Sequence, residues 1–379
     1  MALTALAIVV AAAQLATAAE LHRVVLGGIT AGVYPGAVVI VGRRDSLLVA
    51  RGYGHVTWST SSRVPSPDST LYDLASLTKV VATAPALMRL VEAGKIRLND
   101  AVQRYLSEFV GEGKQDVTVA HLLYHTSGLR AFLPLNERSA DSAGASRLVL
   151  EEPLRRRPGA RAEYSDLNAI LLGWIIERAS GRPLDQFALT DLFQPLGMTE
   201  TRYRLPRVLR DRAAPVGVWR GTPVGGVVHD QNAARLGGVA GHAGLFSTGL
   251  DLARFAQFLL DSGRAADCSP VLHPETVALF SSRAGGNRSL GFEMDDTTTA
   301  DNSGVRLSRL AFGHTGFTGT SLWIDPERDL FVIVLTNRVY APKASRSITR
   351  LKEIRGRIAD AAAEIVEQQD GAPRAPRRC

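Results

Sequence analysis

The stretch LYDLASLTK, residues 71–79, joins one short apolar segment to the start of another. Residues 80–93 are mostly compatible with a helix, so we expect Ser76 to lie in the first turn of that helix. A spacing of three residues is nearly one helical turn, which places the Ser76 hydroxyl and the Lys79 amine on the same face. A lysine in this position can take the serine proton and make the hydroxyl nucleophilic. The helix N-terminus adds N–H groups where an acyl oxygen would become negative.

A second candidate segment is the triplet YSD, residues 164–166, which follows a proline–glycine turn at residues 158–159. The residues after it predict a helix over 168–180. Tyr164 is therefore expected on a loop at a helix entrance, from which its phenol projects into a cleft. Near a lysine ammonium, a tyrosine ionises more readily and can relay a proton to a leaving group.

The third candidate segment is GHTGFTG, residues 313–319, which precedes the strand-like residues 321–325. Glycines beside a strand let a substrate backbone approach closely, as an added strand would. The backbone N–H of Phe317 is then expected to face that of Ser76 across a carbonyl oxygen. Together the two N–H groups would form an oxyanion hole.

Together the three segments resemble the motifs of serine hydrolases in the class C β-lactamase and D-alanyl-D-alanine carboxypeptidase superfamily, which includes penicillin-binding proteins. In that group S-x-x-K is accompanied by Tyr-x-Asn and by Lys-Thr-Gly or His-Thr-Gly. The resemblance covers roughly residues 18–339 and includes YPGA at 34–37, LLYHTSGL at 122–129 and GGVAGHAGLFS at 237–247. It implies an α/β (α+β) fold, in which helices flank an antiparallel sheet and a mainly helical domain is inserted.

The resemblance also implies acyl transfer through an acyl-enzyme, with no metal and no organic cofactor. Ser76 would be the nucleophile, and Lys79 and Tyr164 would share the proton transfers. The residues expected to hold the oxyanion or contact the substrate are Phe317, His314, Thr315, Gly316 and Asp166.

Two residues depart from the pattern of true β-lactamases. Asp166 stands where asparagine is usual, so it offers acceptors but no amide donor to a substrate carbonyl. His314 replaces a lysine and is expected to be neutral near pH 7, gaining a proton below about pH 6.5. Both departures argue against an efficient β-lactamase.

The sequence therefore favours a D-alanyl-D-alanine carboxypeptidase-like, penicillin-binding activity. A carboxylesterase and a weak β-lactamase are the alternatives, and a non-catalytic penicillin-binding or envelope-sensing module is an alternative of another class. The expected partners are a small-molecule or peptidoglycan-peptide substrate, with β-lactams as acylating ligands, and we expect a monomer.

Composition is consistent with a large globular enzyme. The chain has 379 residues, 45% of them hydrophobic, and a net charge of +7 from 44 Lys plus Arg against 37 Asp plus Glu. No zinc finger, helix-turn-helix signature or interleaved basic and aromatic pattern accompanies this charge, so nucleic acid is not an expected partner. The two cysteines, Cys268 and Cys379, have no metal-ligand spacing.

The N-terminal segment is open to two interpretations. Apolar residues 3–13 and the small residues 16–18 predict a signal peptide over residues 1–18, and hence a periplasmic or secreted protein. No lysine or arginine precedes the apolar run, so the alternative is the start of the first helix in a cytoplasmic protein.

Turn residues divide the rest of the chain. We predict one hydrolase domain over residues 19–367 and a disordered tail over 368–379. Within the domain, the α/β part would comprise about 19–70 and 290–367, and the helical insert about 71–289. The predicted strands are 37–41, 46–54, 321–324 and 330–337, and the terminal helices are 18–32 and 347–367.

Overall fold

The computed structural model describes residues 18–295, 302–340 and 348–369. Residues 1–17 of the predicted signal peptide and residues 370–379 of the predicted tail lie outside the described residues. The helices are α1 (18–30), α2 (Ala84–Glu92), α3 (Val119–Leu123), α4 (Leu135–Arg138), α5 (Ser142–Glu151), α6 (Asp166–Ser180), α7 (Leu184–Ala188), α8 (Gln231–Arg235), α9 (Gly249–Leu260), α10 (Pro274–Ser281) and α11 (Ile348–Gln369).

The longest strands come from the two ends of the chain and form one antiparallel sheet. The strands are β1 (Gly36–Gly42), β2 (Leu47–Gly54), β3 (Tyr72–Asp73), β4 (Arg202–Tyr203), β5 (Gly217–Trp219), β6 (Thr222–Val224), β7 (Leu245–Ser247), β8 (Glu293–Met294), β9 (Phe312–Thr315), β10 (Ser321–Asp325) and β11 (Leu330–Thr336). The order of strands in this sheet is β2-β1-β11-β10-β9-β8, so β1, near the N-terminus, pairs directly with β11, near the C-terminus.

Strand β1 shows why the sheet is covered on both faces. All seven of its residues are buried, and successive side chains point to opposite faces. Val38 and Ile40 join the large core on the side of the middle helices, whereas Val39 and Val41 join a second core. Helices α1 and α11 complete that second core, so both faces are packed.

The predicted fold class, an antiparallel sheet flanked by helices with mainly helical chain between its strands, is confirmed. The segment 71–289 also contributes to the packing of the sheet, because α9 lies against β1. A Cβ on Gly249, the first residue of α9, would lie 2.9 Å from a side-chain carbon of Ile40. The predicted domain boundaries themselves stay a prediction.

The C-terminal helix is longer than predicted. It continues through Gln369, so the first two residues of the predicted tail are helical. Buried residues on one side of it, including Ile358 and Ala362, pack on the sheet. Among the described residues, no helix combines the length and apolar character needed to cross a membrane.

Candidate active site

The segment that carries Ser76 begins a helical stretch, as predicted, but not a regular α-helix. Ala75–Leu77 form a 3-10 turn, Lys79–Thr83 form a π-helical turn, and α2 follows. The residue before the serine, Ala75, has a φ of 48°, a left-handed conformation that is uncommon for a residue with a Cβ. Such a conformation persists only where its surroundings hold it.

Asp73 provides much of that support. Its Oδ1 accepts a hydrogen bond from the Ala75 N–H at 2.8 Å, and its Oδ2 accepts one from the His229 N–H at 2.7 Å. Burial raises the pKa of the Asp73 carboxyl to about 6, although both N–H groups act to lower it. The carboxyl thus connects the backbone before Ser76 to the loop around residue 229.

The turn after β9 supports the same segment from the other side. Thr318 Oγ1 donates to the backbone oxygen of Asp73 at 2.7 Å, and Thr320 Oγ1 donates to that of Leu74 at 3.0 Å. A Cβ on Gly316 would lie 2.4 Å from the Leu74 oxygen, so only glycine permits this approach. The third sequence segment is therefore packed against the first.

Three of the predicted residues meet at one oxygen atom. Lys79 Nζ donates to Ser76 Oγ at 3.0 Å, and the Tyr164 hydroxyl donates to the same oxygen at 2.9 Å. Tyr164 reaches this position from the loop before α6, whose first residue is Asp166. The geometry is that of a serine flanked by two groups able to carry protons.

The Lys79 side chain has two further partners. Its Nζ donates to the backbone oxygen of His242 at 3.0 Å and lies 2.8 Å from Asp166 Oδ1. Burial lowers the pKa of the Lys79 amine, but Asp166 and then Tyr164 outweigh burial and raise it. Burial likewise raises the pKa of Asp166, and Lys79 outweighs it to leave that pKa lowered. The two groups therefore form an ion pair, and Asp166, expected to contact substrate, contacts Lys79.

The Tyr164 ring lies among four nitrogen-containing side chains. Its centroid is 4.9 Å from that of His125 and 5.6 Å from that of His314. The Lys79 Nζ is 5.0 Å from the ring centroid and the Arg288 guanidinium carbon is 5.5 Å from it. Burial nevertheless raises the pKa of Tyr164 and outweighs Lys79, so the expectation of easier ionisation is wrong and the phenol is a neutral donor.

His314 lies on β9 and is buried. Its Nδ1 donates to the Thr315 backbone oxygen at 2.7 Å, and within the described part of the chain its Nε2 accepts no hydrogen bond. Burial lowers the pKa of His314 to about 4, and nearby Lys79 and Arg288 act in the same direction. The expected protonation just below pH 6.5 is therefore wrong, because the ring stays neutral until about pH 4.

We expect the free energy of unfolding to fall as the pH falls from about 6.5 to about 4. In this window His314 binds fewer protons in the folded chain than in the unfolded chain, so acid favours unfolding. Replacing it in a His314→Gln variant should reduce this pH dependence by up to about 3 kcal/mol. Urea unfolding at pH 4.5 and 7.5 measures the difference.

The control is His273→Gln, because His273 is exposed. That variant should keep the wild-type pH dependence. An equal pH dependence in His314→Gln and the wild type would contradict the assignment of a buried neutral ring.

Phe317, Thr315 and Gly316 occupy the end of β9 and the turn that follows it. The Phe317 side chain is 61% exposed, and its ring stacks on His229 with centroids 5.6 Å apart. The Arg338 guanidinium carbon lies 4.6 Å from the centre of the Phe317 ring. Thr315 pairs in register with Ser321. The assignment of the Phe317 N–H to an oxyanion hole stays a prediction, supported by the packing of this turn on the Ser76 segment.

Two histidines, one in each of the segments 122–129 and 237–247, make further contacts near the site. His125 has a φ of 57°, and its Nδ1 accepts from the Ser165 N–H at 3.1 Å, which positions the loop of Tyr164. Ser127 Oγ donates to Asn168 Oδ1 at 2.6 Å, which ties the same turn to α6. His242 Nε2 lies 2.9 Å from Asp230 Oδ1.

Sequence reasoning missed Arg288 and the ion pair of Asp166. The Tyr-x-Asp triplet contained a signal for the ion pair, because a carboxylate beside the serine–lysine motif is a natural partner for the lysine. Arg288 stands alone between residues of no recognisable motif, and only the tertiary structure brings it to Tyr164.

Comparison with known proteins identifies the family of this chain. The protein-family model described as Beta-lactamase matches residues 18–355. The chain belongs to the beta-lactamase family. Like members of this family generally, it is a serine hydrolase by classification, and the family assignment itself specifies no substrate.

Relatives of this beta-lactamase-family protein carry several names. A protein of Escherichia coli O157:H7 named "Putative D-alanyl-D-alanine carboxypeptidase" is 30% identical over 348 residues, covering 82% of this chain and 80% of that protein. EstCE1, a hydrolase with promiscuous acyltransferase activity, superposes with a TM-score of 0.74 at 23% identity, covering 92% and 99%. A penicillin-binding protein homolog from Caulobacter crescentus has a TM-score of 0.74 at 21% identity, covering 91% and 96%. The two structural similarities show the fold.

Proposed function

We propose that this protein hydrolyses amide or ester bonds through an acyl-enzyme on Ser76, with a D-alanyl-D-alanine carboxypeptidase-like activity. The observation that carries the proposal is the position of Ser76 Oγ, 3.0 Å from Lys79 Nζ and 2.9 Å from the Tyr164 hydroxyl. A serine flanked by an amine and a phenol has a route for its own proton and a donor for the leaving group.

The proposed acylation involves three proton transfers. Ser76 Oγ attacks the carbonyl carbon while Lys79, as a free amine, accepts the serine proton. The N–H groups of Ser76 and Phe317 hold the oxygen that becomes negative. As the bond to the leaving group breaks, the Tyr164 hydroxyl protonates that group and takes a proton from Lys79 in return. Water then attacks the acyl-enzyme and restores the Ser76 hydroxyl.

The names of the relatives support a carboxypeptidase-like substrate. The lack of a positive charge on His314, in the third motif (residues 313–319), supports an esterase as the second candidate. Because His314 is neutral at pH 7, the third motif supplies no fixed cation for a substrate carboxylate. An ester without a carboxylate gains little from such a cation, so esterase activity does not require one. A β-lactam carries such a carboxylate, as does the terminal D-alanine of a peptide, so both would be bound weakly at this position.

A panel of three substrate types tests the proposal. Purified protein is assayed with an acyl-D-Ala-D-Ala peptide, with short p-nitrophenyl esters and with nitrocefin. We expect release of D-alanine from the peptide, turnover of the esters, and slow nitrocefin hydrolysis with a persistent adduct detected by intact-protein mass spectrometry. Ester turnover without D-alanine release would favour the carboxylesterase. Rapid nitrocefin turnover would show a β-lactamase instead.

A further inference from the structure

We propose that Asp166 holds Lys79 as an ammonium in the free enzyme and thereby sets the pH range in which Ser76 is acylated. The inference rests on the proposed function, since it concerns how readily Lys79 can accept the serine proton. Asp166 is a positioning residue in this scheme. It acts through Lys79 and need not touch the substrate.

The contacts of the Lys79 nitrogen support an ammonium. An ammonium has three N–H donors, and the described residues place three oxygens around the nitrogen, at 2.8 Å from Asp166 and 3.0 Å from both Ser76 and His242. A neutral amine has two N–H donors and a lone pair that needs a donor. The His242 carbonyl and the Asp166 carboxylate can only accept, so two of the three neighbours favour the ammonium.

Burial strengthens the pair. The Lys79 side chain is 4% exposed and that of Asp166 is 18% exposed, so water competes weakly for either group. Removing one charge from a buried pair therefore affects the other strongly. While Lys79 is an ammonium it cannot accept the Ser76 proton, because an ammonium has no lone pair.

No other carboxylate in the described part of the chain is within hydrogen-bonding distance of the Lys79 nitrogen. The neighbouring histidine rings, His125 and His314, have pKa values lowered by burial and are neutral. The Arg288 guanidinium lies beside the Tyr164 ring, and Asp230 is paired with His242. The charged or titratable groups that interact with Lys79 are Asp166, Tyr164, His125, His314 and Asp230, and those that interact with these neighbours are His242, Arg288 and Glu293.

An Asp166→Asn substitution removes the negative charge of this side chain and keeps its size and shape. The amide keeps an oxygen acceptor for Lys79 but removes the negative charge. Burial then lowers the pKa of Lys79, and each unit of decrease raises the fraction of free amine at a fixed lower pH about tenfold. We therefore expect the variant to be acylated faster than the wild type near neutral pH, and at the same rate at high pH.

The experiment measures the rate of Ser76 labelling by a fluorophosphonate between pH 6 and pH 10, followed by intact-protein mass spectrometry and peptide mapping. In the wild type the rate should rise with pH to at least pH 9. In Asp166→Asn the rise should shift by one pH unit or more to lower pH, giving about a tenfold or greater gain at pH 7. Asp166→Glu should restore the wild-type profile.

The matched control is Glu163→Gln. Glu163 lies three residues before Asp166, on the loop before α6, and its carboxylate pairs with Arg156. The substitution removes that carboxylate. Its profile should follow the wild type, which distinguishes the ion pair from a general loss of negative charge.

Three outcomes would overturn the inference. The first is a wild-type rate of Ser76 labelling that is already constant by pH 7. This outcome does not depend on the folding of any variant. The second is an Asp166→Asn profile that does not shift. In both cases Ser76 is still labelled and the proposed function survives. The third is the absence of any Ser76 adduct in all proteins at every pH, which contradicts the proposed function together with the inference.

Discussion

Ser76→Ala is expected to reduce kcat/KM by a factor of about 10⁴ or more for every substrate that the wild type hydrolyses. No other hydroxyl among the described residues lies between the Lys79 amine and the Tyr164 phenol. Without the Ser76 hydroxyl, no acyl-enzyme can form, and only substrate binding and oxyanion stabilisation remain. Steady-state assays measure the loss, and fluorophosphonate labelling should give no adduct.

Ser127→Ala is the control for the loss of a buried serine hydroxyl. Ser127 is buried and donates to Asn168, whereas the polar contacts of Lys79 in the described structure are with Ser76, His242 and Asp166. We expect it to lower the free energy of unfolding by about 1 kcal/mol and to retain an adduct that maps to Ser76. An adduct on a different residue, or persistent turnover in Ser76→Ala, would show that the nucleophile is elsewhere.

The long strands could be predicted from local sequence because apolar residues dominate them, and four of the seven residues in each of β1 and β11 are β-branched. The predicted limits of β1, β2, β10 and β11 differ from the observed ones by one residue at most at either end. Strand β9 was not predicted, since Phe312–Thr315 is short and contains glycine. It is a strand because it pairs with β10, where a Cβ on Gly313 would lie 2.0 Å from the Leu322 backbone oxygen.

The conformation around the serine also depends on distant residues. Nothing in the local sequence indicates a left-handed Ala75 or a π-helical turn at Lys79–Thr83. Both are compatible with the buried Asp73, whose carboxylate accepts from residues that are 2 and 156 positions away in the chain. The propensities of the local sequence do not predict a hydrogen bond to a residue so distant in the chain.

The proximity of Ser76, Lys79 and Tyr164 could be predicted from the sequence, but their protonation states could not. The motifs indicated that these three residues lie together because each segment supplies a residue type that the proposed chemistry needs. The protonation of Lys79 and Tyr164 depends instead on burial and on the position of Asp166. Those quantities follow from packing between elements, which the spacing of residues does not specify.

Lys79→Met combined with Asp166→Asn is expected to reduce the rate of Ser76 acylation by a factor on the order of 10²–10⁴ relative to Asp166→Asn alone. The two proteins differ only in the amine, so the comparison isolates its role as proton acceptor. The double substitution also avoids leaving a buried Asp166 carboxylate without its cation, which would cost about 3–5 kcal/mol. Fluorophosphonate labelling at pH 9 measures the rate, and urea unfolding measures the stability.

Lys114→Met is the matched control for the loss of a buried lysine. Lys114 is 1% exposed and donates to the Leu150 backbone oxygen, so its removal affects packing away from Ser76. That variant should keep the wild-type acylation rate even where its stability falls. If Lys79→Met with Asp166→Asn were labelled as fast as Asp166→Asn, the serine proton would have to leave by another group. Tyr164 is then the candidate, since its hydroxyl is the other group bonded to Ser76 Oγ in the described structure.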